Sequence, residues 1–252
     1  MLNKLKLIMG RHLASYLTKS LPGYQKIDAV TTEQIAAVLQ TGDILLVEGN
    51  SRISTAIKYL TQSSWSHACL YLGKSSAENC ENTLLEADLQ QGVHLVPLSK
   101  YADFNLRVCR PVGLDGEELQ RLLTFARSSL GQQYDLKNIF DLMRYLIQKP
   151  AVPNRFRRSM IGLGSGDPTR AICSTLIAKA FQQIDYPILP RRGEEGEEGE
   201  VPIFYQRHFT HYTPRDFDVS PYFEIVKPTL VQGFEFRTLP WRDNPEEDQA
   251  AP

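Results

Sequence analysis

Cysteine is scarce in this chain and scattered. Cys69, Cys80, Cys109 and Cys173 are its four cysteines, and no two of them form a CxxC pair, so neither a zinc site nor a dense disulfide framework is encoded. Thiols kept reduced in a cytosol fit that usage best. An excess of one charge is missing too: 28 Lys and Arg against 29 Asp and Glu leave a net charge of −1, which gives no basic footprint for nucleic acid. No apolar run approaches the roughly 20 residues of a membrane-spanning helix. Residues 1–26 lack the uninterrupted apolar stretch and small-residue cleavage site of a secretory signal. A cytoplasmic protein without a nucleic-acid partner is the expectation. The glycine-rich run Gly162-Leu163-Gly164-Ser165-Gly166 has no phosphate-loop lysine and follows no clear strand, which argues against a nucleotide site.

What is present is ordinary for a globular fold: 42% apolar and 23% charged residues in 252, enough for one sizeable core with decorations. Residues 1–26 carry Lys4, Lys6, Arg11, Lys19 and Lys26 and no acid, with Leu2, Leu5, Ile8, Met9, Leu13 and Leu17 near helical spacing. Such a helix either lies on an anionic membrane surface or packs on the domain, and packing is favoured. Gly193 to Glu200 is acidic and of low complexity and reads as a solvated insertion. Asp243 to Pro252 reads as a frayed acidic tail.

Between these segments the pattern alternates strands and helices. Ile44–Val47 is a short apolar run bounded by turn residues, a buried strand. Ile53, Ala56, Ile57 and Leu60 mark one face of a helix. From Ser66 to Leu72, His67, Cys69 and Tyr71 alternate with Ala68, Leu70 and Leu72, the period of a strand. Leu84–Ala87, Val93–Val96 and Leu106–Cys109 read as further strands that continue this one as an antiparallel meander. Asp115 with Glu118 forms a capping box for a helix with an apolar stripe through Leu119, Leu122, Leu123, Ala126 and Leu130, ended by Gly131. Leu136 to Ile147 suggests another helix, stopped by Pro150. Cys173 opens an amphipathic run, Thr213-Pro214 begins a short helix, and Tyr222–Val226 is strand-like.

The chemistry gathers on three residues. Cys173 shares a helical face with Ile177, Ala180 and Ile184, which suits a small core residue. It equally suits a nucleophile if a helix N-terminus and an imidazolium lower its pKa. His67 on its strand supplies the imidazole. Glu86 interrupts the apolar strand Leu84-Leu85-Glu86-Ala87, and a carboxylate there must be exposed or paired. In a hairpin it sits beside His67 and fixes its tautomer. Cys69 lies on the same strand face as His67, where parallel side chains meet poorly for proton transfer. His94, His208 and His211 have no comparable framing.

These segments together resemble a known family. Gly42-Asp43-Ile44-Leu45-Leu46, then Ser66-His67-Ala68-Cys69-Leu70-Tyr71-Leu72-Gly73, then Leu84-Leu85-Glu86-Ala87 are similar to the strand series of NlpC-type papain-fold hydrolases. Gly131-Gln132-Gln133-Tyr134 and Cys173-Ser174-Thr175-Leu176 resemble that family's nucleophile segment, placed here after the histidine strands. The order is that of the circularly permuted YiiX/YebB-like group, related to lecithin retinol acyltransferase-like enzymes, and Tyr212 to Phe217 resembles that group's closing segment. The resemblance implies an α+β permuted papain-like fold, with a small antiparallel β-sheet or barrel packed against helices that include the nucleophile helix. It implies a catalytic domain over 41–228; the acidic loop within it (191–200), the basic amphipathic segment before it (1–40) and the strand-like extension with an acidic tail after it (229–252) are read from composition alone. It implies Cys173 as nucleophile, His67 as base, Glu86 as orienting residue and Tyr134 as oxyanion or substrate contact, with neither metal nor organic cofactor. A thiol hydrolase acting on a peptide, another amide or a lipid acyl group follows. An acyltransferase at a membrane and a non-catalytic binding module are the alternatives.

Overall fold

The computed structural model describes residues 15–27, 30–74, 82–88, 90–133, 172–192, 204–233, 235 and 237. The expected helix at 136–147, the acidic run 193–200, the tail, Cys80 and Tyr134 lie outside them. The architecture is α+β, built on a six-stranded sheet. In chain order the elements are α1 (Thr32–Val38), β1 (Ile44–Val47), α2 (Arg52–Thr61), β2 (His67–Lys74), β3 (Asn82–Asp88) and β4 (Gly92–Pro97), then a 3-10 turn (Leu98–Tyr101). β5 (Leu106–Pro111), α3 (Gly116–Ser128), α4 (Ile172–Gln182), the short strands β6 (Arg191–Arg192) and β7 (Phe204–Tyr205), a second 3-10 turn (Phe209–His211), α5 (Pro214–Asp218), β8 (Phe223–Val226) and α6 (Pro228–Val231) follow.

The sheet runs β4-β3-β2-β1-β5-β8 with every neighbour antiparallel. The meander therefore holds for β2, β3 and β4, while the Leu106 strand leaves it: β5 pairs with β1, Leu45 facing Val108 and Val47 facing Leu106. The physical reason lies in β1, whose four residues are all buried and whose backbone needs a partner on both edges. Leu98 and Tyr101 of the intervening turn are themselves buried, so the crossing chain covers one face of the sheet on its way.

The alternation along β2 sorts the core into two layers. Ala68, Leu70 and Leu72 join Leu85, Ala87, Leu122, Leu123, Ala126, Leu176, Ile177 and Phe181, the layer under α3 and α4. Cys69 and Tyr71 join Leu45, Val47, Leu84, Val96, Leu98 and Tyr101 with Ile35 and Val38 of α1, the layer on the opposite face. Helix boundaries follow local chemistry. Asp115 and Glu118 form the reciprocal capping box of α3, and Pro214 at the start of α5 is followed by Asp216, which accepts from the Thr213 backbone and hydroxyl. α3 ends at Ser128, before Leu130, which is exposed, so the apolar stripe stops one turn sooner than its leucines suggest.

Residues 15–18 are helical, and the chain from there to Leu21 lies along one end of the sheet. Gln90 of the β3–β4 turn donates to Thr18 Oγ1 (2.7 Å), the Arg52 amide donates to the Lys19 carbonyl (3.3 Å), and the Leu21 amide donates to the Asn50 carbonyl (2.9 Å). Leu17 is fully buried there. This is the end at which β1 and β3 finish and β2 begins with His67. Among the described residues no helix is long and apolar enough to cross a membrane.

Candidate active site

His67 is held by what precedes it. The Ser66 amide donates to the Val47 carbonyl (3.1 Å), and Ser66 Oγ accepts from the Gly49 amide (3.0 Å). Gly49 permits this approach, since a Cβ there would come within 2.4 Å of Ser54 Oγ and 2.8 Å of Ser66 Oγ. Trp65 is buried, its indole N–H donates to Asp218 (3.1 Å), and the Arg107 guanidinium lies 4.8 Å over its ring while also bonding Asp218 (2.5 Å). The strand is thus pinned on both sides before it presents the imidazole, whose side chain stays 22% exposed.

Glu86 sits opposite, on β3. Its carboxylate is 1% exposed, a position an unpaired charge would not hold. It has partners on both oxygens. Oε2 faces His67 Nε2 at 3.3 Å and accepts from the Tyr101 hydroxyl, and Oε1 accepts from the Lys100 ammonium. His94, paired with Glu86 across β3 and β4, brings Nε2 to 2.8 Å from Oε1. That contact is close but not aligned as a hydrogen bond. Burial pushes the Glu86 pKa up, yet the hydrogen bond and charge of His67, with Lys100 and Tyr101, hold it well below the usual carboxylate range. A carboxylate can only accept, so His67 Nε2 carries its proton toward Glu86 and Nδ1 remains for a thiol.

Cys173 is the second residue of α4 as described and is 4% exposed. Its sulfur lies close enough to the His67 ring and to the backbone amides of Ala68 and Ser174 for each to favour the thiolate. The paired register of β2 with β3 runs from Lys74–Asn82 to Leu70–Leu85, so the Ala68 amide lies beyond that run. Burial raises the thiol, but the imidazolium and these donors outweigh it and the pKa of Cys173 falls below the usual thiol range. The reciprocal holds for His67: burial opposes its charge, while the sulfurs of Cys69 and Cys173 carry its pKa well above the ordinary imidazole value. Ser174 Oγ donates to the Tyr212 carbonyl (2.9 Å) and fixes the start of the helix to the segment before α5.

The three residues singled out in the sequence therefore come together, and four neighbours that sequence reasoning passed over join them. Cys69 is closer to the chemistry than its strand position suggested: its sulfur donates to the Tyr101 hydroxyl (3.4 Å). His94, Lys100 and Tyr101 surround Glu86. The one signal for His94 was its place in the strand next to the acid, and for Lys100 and Tyr101 there was none. The Gly131 amide donates to Val93 O (2.9 Å) and the Val93 amide to Gln132 O (3.0 Å), so the chain leading to Tyr134 docks on β4 beside the site. His67, Cys69 and Glu86 place ligand-type atoms within 4.8 Å of one another, as do Glu86, Asp88 and His94. Both sets share the carboxylate that the Lys100 ammonium already occupies, a donor set that suits protons and an ammonium better than a metal ion. The hollow lined by Thr32, Glu33, Ala36, Asn82, Pro97, Leu98 and Ser99 contains none of the site residues.

Residues 38–145 match the permuted papain-like amidase family, YaeF/YiiX, C92. The resemblance seen in the motifs is borne out over this stretch, which contains His67 and Glu86, and Cys173 follows it in the chain. No curated protein matches the chain. Among solved structures, the metalloprotein yiiX from Escherichia coli O157:H7 is 21% identical, covers 75% of this chain and 96% of its own, and superposes with a TM-score of 0.47.

Proposed function

We propose that the protein is a thiol hydrolase that cleaves an amide or ester through Cys173, His67 and Glu86. The observation that carries this reading is the His67 ring, which faces a buried carboxylate with one nitrogen and interacts with the Cys173 sulfur. The amidase description of the family matched over residues 38–145 supports hydrolysis as the reaction.

In this reading the Cys173 thiolate attacks the substrate carbonyl carbon, and the C=O electron pair moves to oxygen. The oxyanion collapses as the C–N or C–O bond breaks, and the His67 imidazolium protonates the leaving group. Water then attacks the thioester as the neutral imidazole takes one of its protons, and the tetrahedral intermediate collapses with the C–S bond breaking, releasing the acid and restoring the Cys173 thiolate beside the His67 imidazolium. Glu86 stays ionised throughout, holding the ring and stabilising its charge as the third member of a triad does. The Ala68 and Ser174 amides beside the sulfur favour its thiolate form and so lower the charge cost of starting the cycle.

The test is labelling with electrophilic amides and electrophilic lipid esters, followed by the mass and position of the adduct. An adduct on Cys173 that Cys173→Ser abolishes supports the reading, and the probe class that reacts fastest reports the substrate class. Labels that avoid Cys173, or that persist in Cys173→Ser and in His67→Ala alike, would overturn it.

A further inference from the structure

Of the side chains around Glu86, only His67 takes part in the proposed cycle. Lys100 and Tyr101 are supplied by the turn that follows β4, so the crossing that sends β5 to the far side of the sheet also delivers them to the carboxylate. The two oxygens divide their partners. Tyr101 donates to Oε2, the oxygen that faces His67, and Lys100 donates to Oε1, the oxygen His94 approaches. Tyr101 is buried and its hydroxyl oxygen accepts a hydrogen bond from the Cys69 thiol (S···O 3.4 Å), which leaves its own hydroxyl hydrogen to point at Glu86. Lys100 reaches the acid from the surface, its ammonium 5.5 Å over the Tyr101 ring.

We infer that Lys100 and Tyr101 are positioning residues of the thiol chemistry, holding Glu86 ionised and turned toward His67 so that the carboxylate supports the imidazolium without taking its proton. This rests on the Cys173–His67 reading above. A carboxylate buried alone is driven toward its neutral form, and a neutral acid gives an imidazolium no support. Burial, Cys69 and Glu86 push Tyr101 well above the usual phenol range, so it remains a donor throughout the working pH range. The titratable groups facing the His67–Glu86 pair among the described residues are Cys69 on β2, Asp88 on β3, His94 on β4, Lys100 and Tyr101 on the turn, and Cys173 on α4. His67 is already charged near pH 6, so removing either donor acts in one direction. It leaves more uncompensated negative charge beside the sulfur and lets the carboxylate turn, and the thiolate fraction falls.

The experiment measures alkylation of Cys173 by iodoacetamide at pH 6, where only an ion-paired thiolate reacts, and at pH 10, where any accessible thiol is ionised. Tyr101→Phe removes a buried hydrogen bond and should slow the pH 6 reaction about tenfold. Lys100→Met removes a charge that solvent screens, its side chain being 41% exposed, and should slow it about threefold. Lys100→Arg should restore most of the rate, and the pH 10 rates should stay within twofold of the unaltered protein. A merely structural role would change both pH values alike or leave the pH 6 rate untouched, and either result overturns the inference. If Tyr101→Phe does not fold, the surface pair Lys100→Met and Lys100→Arg carries the test. Failure of the underlying reading looks different: unaltered Cys173 would react at pH 6 no faster than a simple thiol such as glutathione.

Discussion

Replacing Glu86 by Gln should cost the folded state about 2–4 kcal/mol at pH 7, because buried charge-assisted hydrogen bonds contribute roughly 1.5–3 kcal/mol each and not all of them are lost. The carboxylate accepts from Tyr101 and Lys100 and faces His67 at 3.3 Å. An amide keeps one acceptor oxygen, turns an NH2 toward groups that are themselves donors, and removes the charge that Lys100 and the imidazolium meet. The Lys100 share is discounted, since its side chain is 41% exposed and solvent screens it. The fold should survive, because the site volume hardly changes.

The pH dependence gives this estimate its sign. Folding holds the Glu86 pKa well below that of an unfolded glutamate, despite burial, through His67, Lys100 and Tyr101, so its contribution is complete above the unfolded value of about 4.3 and drains away as pH falls toward the folded value. Urea unfolding of both proteins from pH 7 to pH 3 separates this carboxylate from the many others, which are common to the pair. The stability gap should be constant from pH 7 to about 5 and should narrow steadily below that. A gap that stays the same down to pH 3, or no gap at pH 7, would mean that the carboxylate is not carrying a buried charge in the folded protein, and the triad geometry would lose its basis.

Two further outcomes follow from the packing. Among the described cysteines, peptide mapping after brief iodoacetamide treatment at neutral pH should find Cys173 alkylated first and Cys109 last, since burial and the Asp218 charge raise the Cys109 thiol while Cys173 is lowered; the reverse order would contradict the assignment of the nucleophile. Leu17→Ala should lower stability by about 2–3 kcal/mol as judged by the denaturation midpoint, the usual range for emptying a filled apolar site, because Leu17 is fully buried; a change under about 0.5 kcal/mol would show that residues 15–21 do not pack at the strand ends.

How far the sequence could be read depended on the range of the interaction involved. The two faces of β2 were legible because strand alternation is local, and they became the two core layers. Asp115 with Glu118 and Thr213 with Pro214 marked helix starts for the same reason. Glu86 was legible as an anomaly, a charge inside an apolar strand, and that anomaly requires partners without naming them. The partners are long-range: Lys100 and Tyr101 reach Glu86 only because the chain after β4 folds across the sheet toward β1, and the same crossing misled the reading of the Leu106 strand as a fourth member of the meander. His94 was passed over because a histidine in a strand has no meaning until the register places it opposite an acid. Cys69 shows the limit from the other side. Side chains two apart on one strand face were expected to meet poorly, yet Cys69 and His67 bring their sulfur and ring nitrogen within 4.8 Å, and Tyr101 links Cys69 on to the carboxylate. The pair proposed to react could thus be read from motif and periodicity, whereas the groups around its carboxylate depend on how the chain crosses the sheet.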